Sequence, residues 1–505
     1  MRLLTTIQRL SLAVVAAAGC CLTAGCFSDQ TTDGDGPISE IVIAEGSVGT
    51  HYDIQKNEHL TIRPVVSQTG SGQPLTYTWE IDQKVVSTEP VLDYVGQRLG
   101  TFDCRLVVAN DDGKAFATFR LNVNSPYEEG ITVISHDSQG RSMLSFMQKQ
   151  YDGVTEEHFE DGDCFAVNNP DFAFAPNVTD IAQNDGSLIV TCRGDDSTPP
   201  TIYYLNEKTL EVENIVTVPE YADFKPYRTM VPAVGGAGGY YPILCDDGRV
   251  FRISPLEATV MQSPLLKSTY AQSAVIWETG TSARTDIILW DKERRDLCLM
   301  HYGYGPFYCG DPYLLVADSL NDSNNYFRGY DFVFMFLPKS AEPDAVYDRN
   351  VMVITRNAVT YQKLKLDVAF WGYNELEGKA ELATFGGMKM AGFACELDER
   401  TVHVASDYYK ELYYAKGNAV KRWQYSFDTK YLNATDVLAT VGSGQAVISA
   451  MDLSKDHREL YIAYYEPAES GQNGYLSVLN TETGQLLRQY DNIGYQPVKI
   501  IYKRK

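Results

Sequence analysis

Between Asp137 and Asn480 one short pattern recurs seven times: an apolar strand, a polar turn, and a second strand. Val133-Ile134 turns at Asp137-Ser138-Gln139-Gly140 into Met143-Leu144, and Ile202 to Leu205 turns at Asn206-Glu207-Lys208 into Leu210-Glu211-Val212. Val250 to Ile253 turns near Ser254 and Pro255, Ile287 to Trp290 at Asp291, Val351 to Ile354 at Arg356, Leu412 to Tyr414 at Lys416, and Leu476 to Leu479 at Asn480. The mean spacing is about 57 residues, with gaps from 37 to 69, and the intervals hold further apolar strands such as Leu188-Ile189-Val190 and Val402-His403-Val404. A single small β-unit cannot bury its own apolar face, so units repeated at this period must stack on one another. Four-strand units of about 40 to 70 residues repeated about seven times read as a β-propeller; the alternative is an irregular pair of sandwiches. Strands over 131–147 and the lone strand Val498 to Tyr502 would complete one blade from the two ends and hide each other's edges.

A different pattern precedes it. From Ile38 to Asn124, alternating strands are broken by polar turns, with Leu75, Tyr77, Trp79 and Ile81 sharing one face by period 2. About seven strands in under ~100 residues read as an Ig-like β-sandwich, with Trp79 in its core. Asp112-Gly113, Asp185-Gly186 and Asp247-Gly248 read as hairpin turns needing positive φ. The segment also resembles PKD domains in its central Tyr77-x-Trp79 strand, its Gly100-Thr101-Phe102 strand start, and its Val108, Asn110, Gly113 corner before the last strand. It departs at Ile81-Asp82-Gln83, where many such domains carry a Gly-Asp-Gly-type turn. The resemblance implies a spacer or docking module.

The N-terminus carries an address. Residues 1–25 combine Arg2 and Arg9, an apolar run from Leu10 to Ala18 and no acid, the makeup of a secretory signal too short to span a bilayer. Leu22-Thr23-Ala24-Gly25-Cys26 resembles a bacterial lipobox, with Thr23 where Leu is usual, and this nominates Cys26 for lipidation. A competing cut before Cys20 would leave the apolar Cys21-Leu22 on the mature chain, and ordinary soluble secretion is the third reading. Residues 26–37 form an acidic, Gly-containing tether that resembles the surface-export signals of Bacteroidota lipoproteins. The expected organisation is therefore a signal at 1–25, a tether at 26–37, a PKD-like sandwich at 38–126 and a propeller-like repeat domain at 127–505. Acyl chains on Cys26 would anchor the protein to the membrane without a span.

Chemistry is sparse by comparison. With 43 Lys+Arg against 66 Asp+Glu, a formal charge of −23 repels nucleic acid. None of the seven histidines stands at a metal-ligand spacing, and no P-loop, nucleophile elbow or dinucleotide fingerprint is present, so no metal, cofactor or catalytic residue is expected. Seven cysteines from Cys104 onward leave at least one unpaired; Cys298 and Cys309 read either as a disulfide across a hairpin or as two small apolar strand residues. The most suggestive stretch is Tyr302-Gly303-Tyr304-Gly305-Pro306-Phe307-Tyr308. Aromatics among glycines and a proline offer flat apolar faces, so Tyr302, Tyr304, Phe307 and Tyr308 are candidates to bind sugar or peptide, the alternative being a stiff loop packed on its own blade.

Lipobox, PKD-type module and repeat domain in this order resemble the PKD-like family lipoproteins encoded beside SusC/SusD-type outer-membrane importers of Bacteroidota. The resemblance implies a noncatalytic accessory lipoprotein on the cell surface that helps a TonB-dependent transporter capture oligopeptide or glycan. A propeller-based surface hydrolase and a purely structural adaptor are the alternatives.

Overall fold

The computed structural model describes residues 38–504 except 71, 150–157, 161, 185, 219–223, 231–240, 255–258, 263–265, 279–283, 302–303, 309–313, 319–326, 328, 340–349, 359–360, 368–371, 375–378, 391–395 and 427–435. The chain divides after Asn124 into two compact units. Cys26, Tyr302, Cys309 and Cys395 lie outside the described residues.

The first unit is all β. A five-stranded sheet runs in the order His51–Gln55, Lys114–Asn124, Gly100–Ala109, Thr76–Ile81, Lys84–Ser87, and separate pairs join Ile41–Ile43 to Val66–Gln68 and His59–Ile62 to Leu92–Val95. Period 2 is visible in Gly100–Ala109, where Phe102, Cys104, Leu106 and Val108 are buried and the residues between them are not. Those side chains meet Leu60, Ile62 and Leu92 of the pair and Trp79, Ile81 and Phe119 of the sheet in one core, with Leu75 and Tyr77 packed at its edge. Trp79 is fully buried, its Nε1–H donating to the Glu89 carbonyl at 2.9 Å. The tight turn at Asp82-Gln83 has φ of 51° and 63°, the mirror-image hairpin geometry that glycine favours, built here without one. The Asp112-Gly113 corner does not need the positive φ expected for it. Asn110 Oδ1 accepts the N–H groups of Asp112 and Gly113 at 3.0 and 2.9 Å, and this side-chain cap sets the turn instead. Gly186 and Gly248 do adopt positive φ, at 83° and 86°.

The second unit is a succession of sheets, each hairpin of the repeat falling in a different one. Five are four-stranded antiparallel sheets in simple sequence order: Val178–Asn184 to Val212–Thr217, Pro226–Thr229 to Thr259–Gln262, Tyr270–Glu278 to Tyr304–Tyr308, His403–Ser406 to Val437–Thr440, and Val447–Leu453 to Leu486–Tyr490. Between the third and fourth of these lies a six-stranded sheet that starts from Asp331–Phe336 and ends in a parallel strand, Leu314–Asp318. The remaining sheet joins the two ends of the unit: Gly130–His136 pairs with Ser142–Gln148 on one side and with the C-terminal strand Gln496–Lys503 on the other.

Packing follows the same order. Ile134, Leu144 and Phe146 of the joining sheet pack on Ile181, Leu188 and Val190 of the next, and Ile189, Ile202 and Tyr204 on Tyr241, Ile243 and Phe251 of the one after. The series continues through Leu244 with Ile287 and Leu289, Trp290 stacked on Phe332 at 5.2 Å, Phe334 and Ile354 with Leu412 and Tyr414, and Tyr413 with Ile448 and Ile462. It closes where Tyr461, Leu476 and Val478 meet Ile131, Val133 and Ile500. Sheets packed face to face in chain order, with the last strand completing the first sheet, make a β-propeller. The first strands of the sheets approach one another around its axis.

Candidate functional site

Several buried polar groups lie along the axis. A first strand is flanked by neighbouring first strands, so a polar side chain there must find its partner on another sheet. Three do so in one way. Asp180, on Val178–Asn184, accepts the Thr229 N–H at 2.6 Å; Gln272, on Tyr270–Glu278, accepts the Met335 N–H at 2.6 Å; and Asp452, on Val447–Leu453, accepts the Tyr502 N–H at 2.7 Å. Each bond ties one first strand to the next. Asp180 and Asp452, 3% and 4% exposed in their side chains, also face lysines: Lys499 Nζ stands 3.6 Å from Asp180 Oδ1, and Lys339 Nζ is bonded to Asp452 Oδ1.

Cations dominate the remainder. His403, on His403–Ser406, turns Nδ1 to the Thr401 carbonyl at 2.8 Å and lies edge-on to Phe334 at 4.6 Å. Burial first, then the charges of Arg228 and Lys499, push its pKa down to about 3, so the ring is neutral at physiological pH. Three first strands, from three different sheets, thus carry Arg228, His403 and Lys499, and both cations act on the His403 ring.

One mouth of the axis is crossed by the segment leading into His403–Ser406. Arg400 lies over the Tyr227 ring at 3.9 Å and pairs with Asp246 at 3.4 Å, while Asp246 also takes Arg193 at 2.5 Å. Next to it, the Glu399 carbonyl accepts Gln272 Nε2 at 3.0 Å and its carboxylate meets Lys292 at 3.1 Å. Arg400 and Asp246 belong to sheets separated by two others in the packing order, so these contacts span the axis.

A second histidine serves a turn. His457, fully buried with φ +60°, holds Ser406 Oγ at 2.7 Å from its Nδ1, and burial pushes its pKa down to about 4. Ser406 is itself fully buried and also accepts the Tyr409 N–H at 3.1 Å, which makes the pair a structural link between two sheets rather than an exposed nucleophile. Among the described residues no cluster of His, Cys, Asp or Glu is arranged to hold a metal. Burial raises the thiols of Cys104, Cys164 and Cys245 to about 11, 12 and 12, values at which they are unreactive.

The aromatic candidates sit elsewhere. Tyr304, Phe307 and Tyr308 belong to Tyr304–Tyr308, the outermost strand of its sheet and so away from the axis. This stretch is no loop: it pairs with Asp296–His301 in the register Cys298↔Tyr308, Leu299↔Phe307 and His301↔Tyr304. The proline and glycine are accommodated because an edge strand bonds on one side only. Tyr302 and Cys309 are outside the described residues, while Cys298 is buried. Asp180, Gln272 and Asp452 went unremarked in sequence, although Gln272 and Asp452 each interrupt an otherwise mainly apolar strand; Asp180 lies among Thr179, Gln183 and Asn184 and carries no such signal.

Neither a protein-family profile nor a curated protein matches the chain. Solved structures similar to it include a quinonprotein alcohol dehydrogenase-like protein from Bacteroides thetaiotaomicron, 15% identical, with 92% of this chain and 99% of that one covered and a TM-score of 0.43. A protein of unknown function from Desulfotomaculum acetoxidans is 12% identical over 73% of this chain and 98% of its own, with a TM-score of 0.38. A β-propeller domain from Myceliophteria thermophila is 8% identical over 62% and 88%, with a TM-score of 0.34. The fold assignment rests on strand order and packing, not on these distant likenesses.

Proposed function

We propose that this chain is a noncatalytic lipoprotein of the outer membrane, anchored through Cys26 at the cell surface, and an accessory binding subunit of a SusC/SusD-type importer for oligopeptide or glycan. The observation that carries the reading is the Leu22-Thr23-Ala24-Gly25-Cys26 lipobox followed by the acidic stretch Asp33-Gly34-Asp35-Gly36, ahead of two compact, mainly β units. Under it the first unit is a PKD-like sandwich acting as spacer, and the second a seven-bladed propeller acting as binding platform. The axial carboxylates weigh against a hydrolase. Acid–base cleavage of a glycoside needs two carboxyl groups open to substrate. Asp180 and Asp452 are buried acceptors of backbone N–H groups.

The test is a pull-down of the tagged protein from detergent-solubilised outer membranes, with mass spectrometry of partner proteins and retained oligomers. Recovery of a SusC/SusD-type pair is expected, and a retained peptide or glycan would name the ligand class. Recovery of the lipoprotein alone would overturn the subunit reading. Metabolic labelling with an alkyne fatty acid tests the anchor separately: label should enter the wild type and be lost in Cys26→Ser.

A further inference from the structure

The chain carries a net charge of −23, yet the described residues on its axis include a cation without a counter-charge. Arg228 sits on the first strand Pro226–Thr229, its guanidinium 5.6 Å from the centre of the Tyr227 ring. It makes no hydrogen bond or ion pair among the described residues. Among the described residues Lys499, on the C-terminal strand, pairs only with Asp180, at 3.6 Å, beyond good hydrogen-bond length, and Asp180 is already committed to the Thr229 N–H at 2.6 Å. The other axial carboxylate, Asp452, is taken by Lys339 and by the N–H groups of Tyr502 and Leu453. Asp180 thus turns one oxygen to Lys499 and the other to the N–H of Thr229, the residue after Arg228, and leaves Arg228 without an ion pair, while another cation, Arg400, lies on Tyr227 at the mouth.

We propose that the axis of the propeller is a binding site for a small oxyanion, a carboxylate or phosphate, held between the Arg228 guanidinium and the Lys499 ammonium beside the His403 ring. A guanidinium presents its donors as a planar fork that matches two oxygens of one carboxylate or phosphate, and an ammonium adds a point charge from the side. An enclosed, partly desolvated cation attracts a counter-ion far more strongly than a surface one, because less water screens it. The neutral state of His403 fits the same local excess of positive charge, since both cations oppose its protonation. Affinity at this site does not depend on the importer reading, and its failure would leave that reading untouched.

The test is isothermal titration of the full mature chain in low-chloride buffer with inorganic phosphate and, separately, with acetate. Saturable binding of at least one is expected, and the arm that binds tells a phosphate site from a carboxylate site. Arg228→Gln should weaken binding tenfold or more. This variant leaves no buried carboxylate unpaired, so it should melt with the wild type. Lys499→Gln should weaken binding similarly, Arg228→Lys should retain part of it, and Arg98→Gln, in the other unit, should change nothing. A readout on the wild type alone avoids any folding defect in the variants: the His403 ring nitrogen signals should move with added anion and saturate with the same constant. Absence of saturable binding by both anions, binding unchanged in Arg228→Gln, or stationary His403 signals would overturn the proposal.

Discussion

The Asp452 carboxylate accepts the backbone N–H of Tyr502 at 2.7 Å, and through that bond the strand Val447–Leu453 grips the C-terminal strand that completes the ring. The same carboxylate holds Lys339 and, at 2.9 Å, the Leu453 N–H, so one buried side chain gathers three segments far apart in sequence. Closure of the propeller is thus partly electrostatic, layered on the apolar packing of Tyr461, Val478 and Ile500.

Asp452→Asn keeps the shape of the side chain and removes its charge. Lys339, about a third exposed, then loses its anion while water screens part of the cost, which places the loss at about 2 kcal/mol. Hydrogen exchange should read it locally: the amides of Gln496–Lys503 should exchange faster, and those of Gly100–Ala109 in the first unit should not change.

Gly130 tests the same closure from the other side. It pairs with Gln148 on one neighbour and Lys503 on the other, and a Cβ built there would meet the Met147 carbonyl oxygen at 2.2 Å and Phe146 Cζ at 2.6 Å. Backbone cannot yield as a side-chain tip can, so Gly130→Ala should cost about 1 to 3 kcal/mol by overpacking. A lowered denaturation midpoint for the second unit checks it; an unchanged midpoint would mean that the joining sheet adjusts freely.

How much of this was legible before the structure is clearest in the spacing of the repeats. All seven hairpins read from sequence exist, one per sheet, yet they do not occupy one position. The turns at Asp137, Asp291, Arg356 and Lys416 join second to third strands, whereas those at Asn206, Ser254 and Asn480 join third to fourth. Stepping from one position to the other alters the gap by a strand and its turn. Short apolar strands announce a sheet without saying which strand of it they are. The axial site was illegible for a further reason. Arg228, His403 and Lys499 are brought together only by ring closure, and each alone is an ordinary polar residue on an ordinary strand.

The Asp82-Gln83 turn is a place where the sequence works against its own geometry. Both residues have positive φ, and Gln83 at 63° has no hydrogen bond that offsets the steric cost of its Cβ. Asp82 contributes a 2.6 Å bond from Arg98 and should be kept. Gln83→Gly should therefore stabilise the first unit by about 0.5 to 1 kcal/mol, the gain in the turn exceeding the entropy that glycine adds to the unfolded chain. Urea denaturation followed by Trp79 burial would show the midpoint rise; a fall would mean that the turn tolerates Gln83 without strain.

His457 and His403 both contribute to the response of the fold to acid. His457 titrates near 6.5 when unfolded and near 4 when folded, so between those values the unfolded chain binds a proton that the native chain excludes. Stability is therefore fully retained above pH 6.5 and lost as pH falls toward 4, by about 3 kcal/mol for a shift of this size. The charged groups acting on the ring are of both signs, Asp407 and Asp452 against Lys339 and Arg504, with burial the largest cause. His403, held near 3 by burial and by Arg228 and Lys499, adds a loss in the same direction over the same window. His457→Asn separates the two. Asparagine tolerates the φ of +60° and can still bond Ser406 Oγ, but it does not titrate. Urea midpoints measured from pH 7 to pH 4.5 should fall steeply for the wild type and more gently for the variant, with the residual slope shared by His403 and the shifted carboxylates such as Glu459. Parallel slopes would show that the proton enters the native turn without cost.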